Sequence, residues 1–191
     1  MLNEYKILNL IGRKEELFAD DINLHNRELK KIVSSSSFLV IGGAGAIPMN
    51  PQLLSLAENN DPKAVDLMMD WAHGPAGHFG GHPVPGLHHM NLGGSIVING
   101  SVKNALGVDF RACDNYKNGF EAAKKIECPA VNILGDRDRM CPIKAGKKLA
   151  ENIKNSEVEI IENCGHMILL EEAGQSLEIL KKFIRKNHPT E

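Results

Sequence analysis

Between Pro129 and Arg185 the chain twice alternates a short β-prone apolar run with a helical stripe, and that alternation limits the available folds more than any other feature. Ala130-Val131-Asn132-Ile133-Leu134 runs into Gly135, helical positions follow from Ala145 to Ile153, Val158 to Ile161 forms a second run, and a last helix is predicted from about Leu170 to Arg185. Strand, helix, strand, helix at this spacing predicts parallel pairing through crossovers, since parallel neighbours cannot be joined by a tight hairpin. The fold class is therefore α/β.

Upstream, Phe38-Leu39-Val40-Ile41 is a further short apolar run, entered from the four serines at 34 to 37 and left through Gly42-Gly43-Ala44-Gly45. Residues Lys14 to Ile32 are compatible with one or two amphipathic helices. Leu53, Leu54, Leu56 and Ala57, then Leu67, Met68 and Trp71 after Asp61-Pro62, predict a helical hairpin. From His73 to Gly100 glycine, histidine and proline dominate without a period of 2 or 3.6, which predicts a long irregular segment, and order resumes after Asn118 with a helix through Phe120, Ala122, Ala123 and Ile126. This divides the chain into a helix, strand and glycine-turn segment (1–48), a hairpin with the irregular stretch (49–117), and an α/β half (118–191). The expected sheet is small and mostly parallel, built from Phe38 to Ile41, Ala130 to Leu134 and Val158 to Ile161, with helices on its faces.

Composition narrows the partners. With 191 residues, 42% of them hydrophobic, the chain can bury one full core with an appendage. A net charge of −2 with mixed signs offers no electrostatic footprint for nucleic acid or for a membrane surface, so neither is expected and a small-molecule substrate is the class left open. Cys113, Cys128, Cys141 and Cys164 form no CxxC pair, which suits reduced thiols, and the start Met1-Leu2-Asn3-Glu4 has no leader pattern; a cytoplasmic location is expected.

In open α/β sheets, ligands sit beyond the carboxyl ends of the strands. The turns after Leu134 and Ile161 hold Asp136, Asp138 and His166. A carboxylate and an imidazole from successive strand ends can meet there, the carboxylate setting the imidazole tautomer. The plainer account has Asp136 and Asp138 capping the next helix and His166 in a loop. The local strings Val131-Asn132-Ile133-Leu134-Gly135-Asp136-Arg137-Asp138-Arg139-Met140-Cys141-Pro142 and Glu162-Asn163-Cys164-Gly165-His166-Met167 resemble the acid and histidine segments of the α/β-hydrolase superfamily. The resemblance covers about residues 49–187, most clearly Asp109 to Ile184, and the hairpin with its Gly/His/Pro stretch resembles that family's variable cap. It implies a partial α/β-hydrolase-like fold, with Asp138 as the acid and His166 as the base of a triad, and cleavage of an ester or related acyl bond as any activity.

The same family places its serine on a G-x-S-x-G elbow ahead of the acid. No such elbow occurs here. Ser95 and Ser101 lack the pattern, the serines at 34 to 37 precede a strand, Cys113 stands beside Asp114, and Cys164 shares the loop of His166 in a manner that suggests packing. An imidazole without a hydroxyl to activate does not run covalent acyl transfer. The expectation is a truncated or fused hydrolase with little or no activity, its nucleophile absent or supplied by another chain, and prone to marginal stability or self-association through its open sheet edges.

Residues 7–47 resemble instead the start of nucleotide-sugar dehydratases or epimerases of the extended short-chain dehydrogenase family, whose Gly-x-x-Gly-x-x-Gly turn binds NAD(P). Gly42 and Gly45 match, Pro48 departs, and no acidic strand end follows about twenty residues on. The chain thus reads as two families joined near residue 48. The cluster His73, His78, His82, His88 and His89 offers metal ligands but no helical i, i+4 pair and no completing carboxylate or thiol. No cofactor and no metal are therefore expected; the alternative is a non-catalytic ligand or protein-interaction module, holding an NAD-type nucleotide at Gly42 to Gly45 or a metal at the histidines.

Overall fold

A computed structural model of the chain describes residues 36–78 and 104–188. Their elements are β1 (Phe38–Ile41), α1 (Pro51–Glu58), α2 (Lys63–Ala72), α3 (Pro75–His78), α4 (Ala105–Asn115), α5 (Gly119–Ala123), β2 (Ala130–Gly135), α6 (Ile143–Ala150), β3 (Ser156–Ile161), α7 (Ile168–Glu171) and α8 (Ala173–Asn187). The three strands form one parallel sheet in the order β1-β2-β3. Val40 stands opposite Asn132, and Asn132 opposite Val158. The expected small parallel sheet with flanking helices is the observed one.

Strand β2 is buried along its whole length, which explains why its sequence reads as a continuous apolar run instead of an alternating one. Its side chains still divide by face. Val131 and Ile133 pack with Ile161, Ile168 and Phe183 beneath α7 and α8. Ala130 packs on the other face with Ala123 and Ile153, and Leu134 meets α6 at Gly146. Burying a side chain such as Ile133 or Leu134 contributes about 1.5–3 kcal/mol, so this central strand anchors both helical layers.

The helical hairpin forms a second core, Leu53, Leu54, Ala57 and Ala64, joined by Phe110 of α4. Helix α1 starts where Pro51 suits the first turn and the Asn50 side chain accepts from the backbone N–H groups of Gln52 and Leu53.

Three local expectations differ from the structure. Helix α4 has no counterpart in the sequence reading, because Gly107 and the charged Asp109 and Arg111 interrupt its apolar stripe; the helix is held by tertiary packing, with Gly107 pressed against the backbone of Ala57 and Glu58. The single C-terminal helix is two, broken at Glu172 where φ is −133° and ψ is 52°. A short turn of helix, α3, stands at the start of the stretch expected to be irregular. The expected helices at 14 to 32 and most of the Gly/His/Pro stretch lie outside the described residues.

Candidate active site

The turn leaving β2 carries Asp136 and Asp138 to the carboxyl end of the sheet. Asp138 is enclosed, its side chain 0% exposed. Its Oδ1 accepts from the backbone N–H of Met140 (2.8 Å) and of Cys141 (2.7 Å), a two-donor grip that fixes the carboxylate at the entrance to α6. Its Oδ2 is thereby aimed at the loop after β3. Asp136 serves a different end: its Oδ1 accepts from the N–H of Cys164 at 3.2 Å, binding the two turns together.

That loop brings His166, whose Nδ1–H donates to Asp138 Oδ2 at 2.8 Å. The approach depends on Gly135, where a β-carbon would stand 2.3 Å from the carbonyl oxygen of Gly165 and 2.4 Å from that of Cys164. Backbone bonds lace the same turns, from Asp136 N to Ile161 O (3.0 Å) and from Arg137 N to Cys164 O (2.9 Å). The imidazole leaves β3, passes over the end of β2 and comes to rest against Gly42 at the end of β1. With Nδ1 committed to the carboxylate, the ring is held in one tautomer, leaving Nε2 as the acceptor. Among the described residues Nε2 has no hydrogen-bond partner.

His166 and Asp138 line a cavity of about 920 Å³. Ile47, Met49, Leu53, Trp71, Phe110 and Met140 supply apolar wall, and among the described residues no serine or threonine borders it. Two thiols do. Cys113 is half-buried, and Cys141 is buried with its Sγ–H donating to the carbonyl of Gly43 at 3.0 Å. Burial, reinforced by the Asp138 carboxylate, pushes the Cys141 thiol up to about 12, so it is neutral at physiological pH and a poor nucleophile. Cys164 is fully buried and likewise pushed up to about 12, by burial and then by Glu171 and the neighbouring carboxylates.

Of the serine run, Ser36 and Ser37 lie at the amino end of β1, the opposite end of a parallel sheet from His166, and Ser37 Oγ bonds His188 Nε2 at 2.8 Å. Ser34, Ser35, Ser95 and Ser101 lie outside the described residues.

The turn Gly42 to Gly45 is packed by its own chain, Gly42 against His166 and Gly45 against the Phe120 ring. The next helix starts only at Pro51, so no helix N-terminus follows the turn directly. Of the five clustered histidines, His73 and His78 are described. The buried His73 donates from Nδ1 to Met69 O (3.0 Å), while His78 donates to His73 O (3.1 Å) and approaches Asp70 (3.5 Å). Among the described residues no three His, Cys, Asp or Glu side chains are grouped to hold a metal. No described helix is long and apolar enough to cross a membrane.

Two participants escaped the sequence reading. Gly42, read there as part of a phosphate-binding turn, underlies the imidazole. Glu171 is a buried carboxylate beside the histidine loop, signalled only by its place after the apolar Met167-Ile168-Leu169-Leu170.

No protein-family profile matches the chain. It is 34% identical over 67 residues to monoacylglycerol lipase ABHD6 of Bos taurus, a match covering 35% of this chain and 20% of that protein. It is 31% identical over 61 residues to 2-hydroxy-6-oxononadienedioate/2-hydroxy-6-oxononatrienedioate hydrolase 2 of Pseudomonas putida, covering 32% and 21%. Among solved structures, the esterase EaEST from Exiguobacterium antarcticum superposes with a TM-score of 0.66 at 14% identity, over 94% of this chain and 70% of its own. A thermophilic esterase superposes with a TM-score of 0.64 at 24% identity, over 80% and 57%. The sequence matches thus span about a fifth of the length of these curated relatives.

Proposed function

We propose, from the premise that this chain belongs to the α/β-hydrolase superfamily, that Asp138 and His166 are the acid and base of a hydrolase-type site whose nucleophile is missing, leaving little or no acyl-ester turnover. The observation that carries this reading is the 2.8 Å bond from His166 Nδ1 to an Asp138 carboxylate held by two backbone N–H groups. A carboxylate in that place stabilises the imidazolium formed when Nε2 takes a proton, but the gain is realised only through an attacking group. No described serine borders the cavity, the Cys141 thiol is held neutral by burial, and the one side-chain hydrogen bond of His166 among the described residues goes to Asp138 and not to Cys113, the other thiol on the wall. A second chain supplying the nucleophile belongs to the same reading.

The test is hydrolysis of short p-nitrophenyl esters and of a monoacylglycerol, the substrate class named for the bovine relative, by the wild type and by His166→Ala. Equal background rates are expected. Turnover that disappears with His166, accompanied by labelling of the chain with a fluorophosphonate, would reveal a nucleophile and overturn the proposal.

The apolar wall of the cavity favours a second reading, a small-ligand site without chemistry. Calorimetric titration with a fatty acid, NAD(H), nickel and zinc distinguishes its versions, and flat traces throughout would remove it.

A further inference from the structure

We propose that Glu171 is a positioning residue for His166, a role that rests on reading Asp138 and His166 as an acid–base pair. Glu171 is buried, 7% exposed as a residue, and among the described residues no cation pairs with its carboxylate. Burying a carboxylate is costly unless donors replace its water, and here three backbone donors do. Oε2 accepts from the N–H of Gly165 (3.0 Å) and of Gly74 (2.8 Å), and Oε1 accepts from the N–H of Met167 (3.2 Å).

These donors flank the histidine on both sides. The intervening His166 N–H goes to the carbonyl of Ala72 at 2.8 Å, which also accepts from Met167 N at 3.1 Å. Three consecutive peptides, 165 to 167, are thus gripped between Glu171 and the end of α2. The same grip reaches Gly74 just beyond α2, whose Trp71 forms part of the cavity wall. Glu171 therefore sets the histidine's backbone relative both to the Asp138 turn and to the apolar wall.

A carboxylate suits this position because it only accepts. Glutamine would turn an N–H₂ group toward one set of backbone donors and leave them unsatisfied. A peptide so displaced swings Nδ1 away from Asp138 Oδ2, since the imidazole is carried by the gripped residue itself.

The test is ring-nitrogen NMR of His166 in the wild type, Asp138→Asn, Glu171→Gln and Ile153→Ala, the last a core change in the separate cluster with Ala123 and Ala130. The expected result is a low-field Nδ1–H resonance in the wild type that is lost in Asp138→Asn and in folded Glu171→Gln, yet kept in Ile153→Ala at comparable loss of stability. Should Glu171→Gln not fold, Glu171→Asp, which keeps the charge but withdraws the oxygens, is read in the same way. A wild-type resonance in the folded Glu171 variant, its loss in Ile153→Ala, or failure of both Glu171 variants to fold would each overturn the inference. If Asp138→Asn itself leaves the resonance unchanged, the acid–base reading fails with it; loss in Asp138→Asn alone removes only the role of Glu171.

Discussion

The imidazole of His166 rests on the α-carbon of Gly42: a β-carbon there would stand 3.0 Å from Nδ1 and 3.1 Å from Cε1. Gly42 also has φ of +57°, a left-handed conformation that glycine enters without the usual steric cost. The residue that ends β1 thereby shapes the floor beneath the base.

Gly42→Ala combines that backbone strain, about 1–2 kcal/mol, with a contact that displaces the ring. We expect a fall in stability of that order in urea unfolding, and a shift in the His166 Nδ1–H resonance. An alanine variant matching the wild type in both would show that the ring does not lie on this turn.

Alkaline stability should report on the buried thiols. Cys141 and Cys164 are pushed up to about 12, whereas a thiol in the unfolded chain ionises near its ordinary value of about 8.5. Between those values the unfolded chain gives up protons that the folded chain keeps. It then binds fewer protons than the native state, so stability falls as pH rises from about 9 toward 12, by at most about 1.4 kcal/mol per pH unit for each thiol. Below about pH 8 these groups contribute no slope. Cys164→Ala should flatten the dependence measured between pH 9 and 11, even if the substitution lowers stability by a constant amount. An unchanged slope would mean the thiol is not held neutral.

Gly146 presents the reverse of the usual helix rule. Alanine in a helix is ordinarily favoured over glycine by about 1 kcal/mol. Here a β-carbon would stand 2.4 Å from Cδ2 and 2.8 Å from Cδ1 of Leu134, a side chain 0% exposed in the central strand. We expect Gly146→Ala to destabilise by about 1–3 kcal/mol, the range for overpacking a core, in thermal or urea unfolding. A gain in stability would show that α6 does not sit so close to the sheet.

How far the sequence alone reaches can be followed residue by residue. Strand β2 was legible because a strand buried along its length reads as a nearly continuous apolar run, whereas Phe38 to Ile41 and Val158 to Ile161 were legible as short β-prone runs although both are partly exposed edge strands. Asp138 and His166 were legible as candidates because strand-end turns in the sequence carry them, and because their surroundings resemble a known pair of motifs. Helix α4 was not, since Gly107 and its charges break the periodicity and its helix is secured by α1.

Local patterning by itself determined the α/β class, the strand positions and the residue types delivered to the sheet's carboxyl end, because those depend on which neighbours along the chain are apolar. Tertiary structure alone decided that β2 lies between β1 and β3, that the imidazole crosses to Gly42, and that Glu171 gathers the N–H groups of Gly74, Gly165 and Met167. Such choices are made by close packing and by the need to satisfy buried polar groups among residues far apart in the chain, and no short string of sequence encodes them.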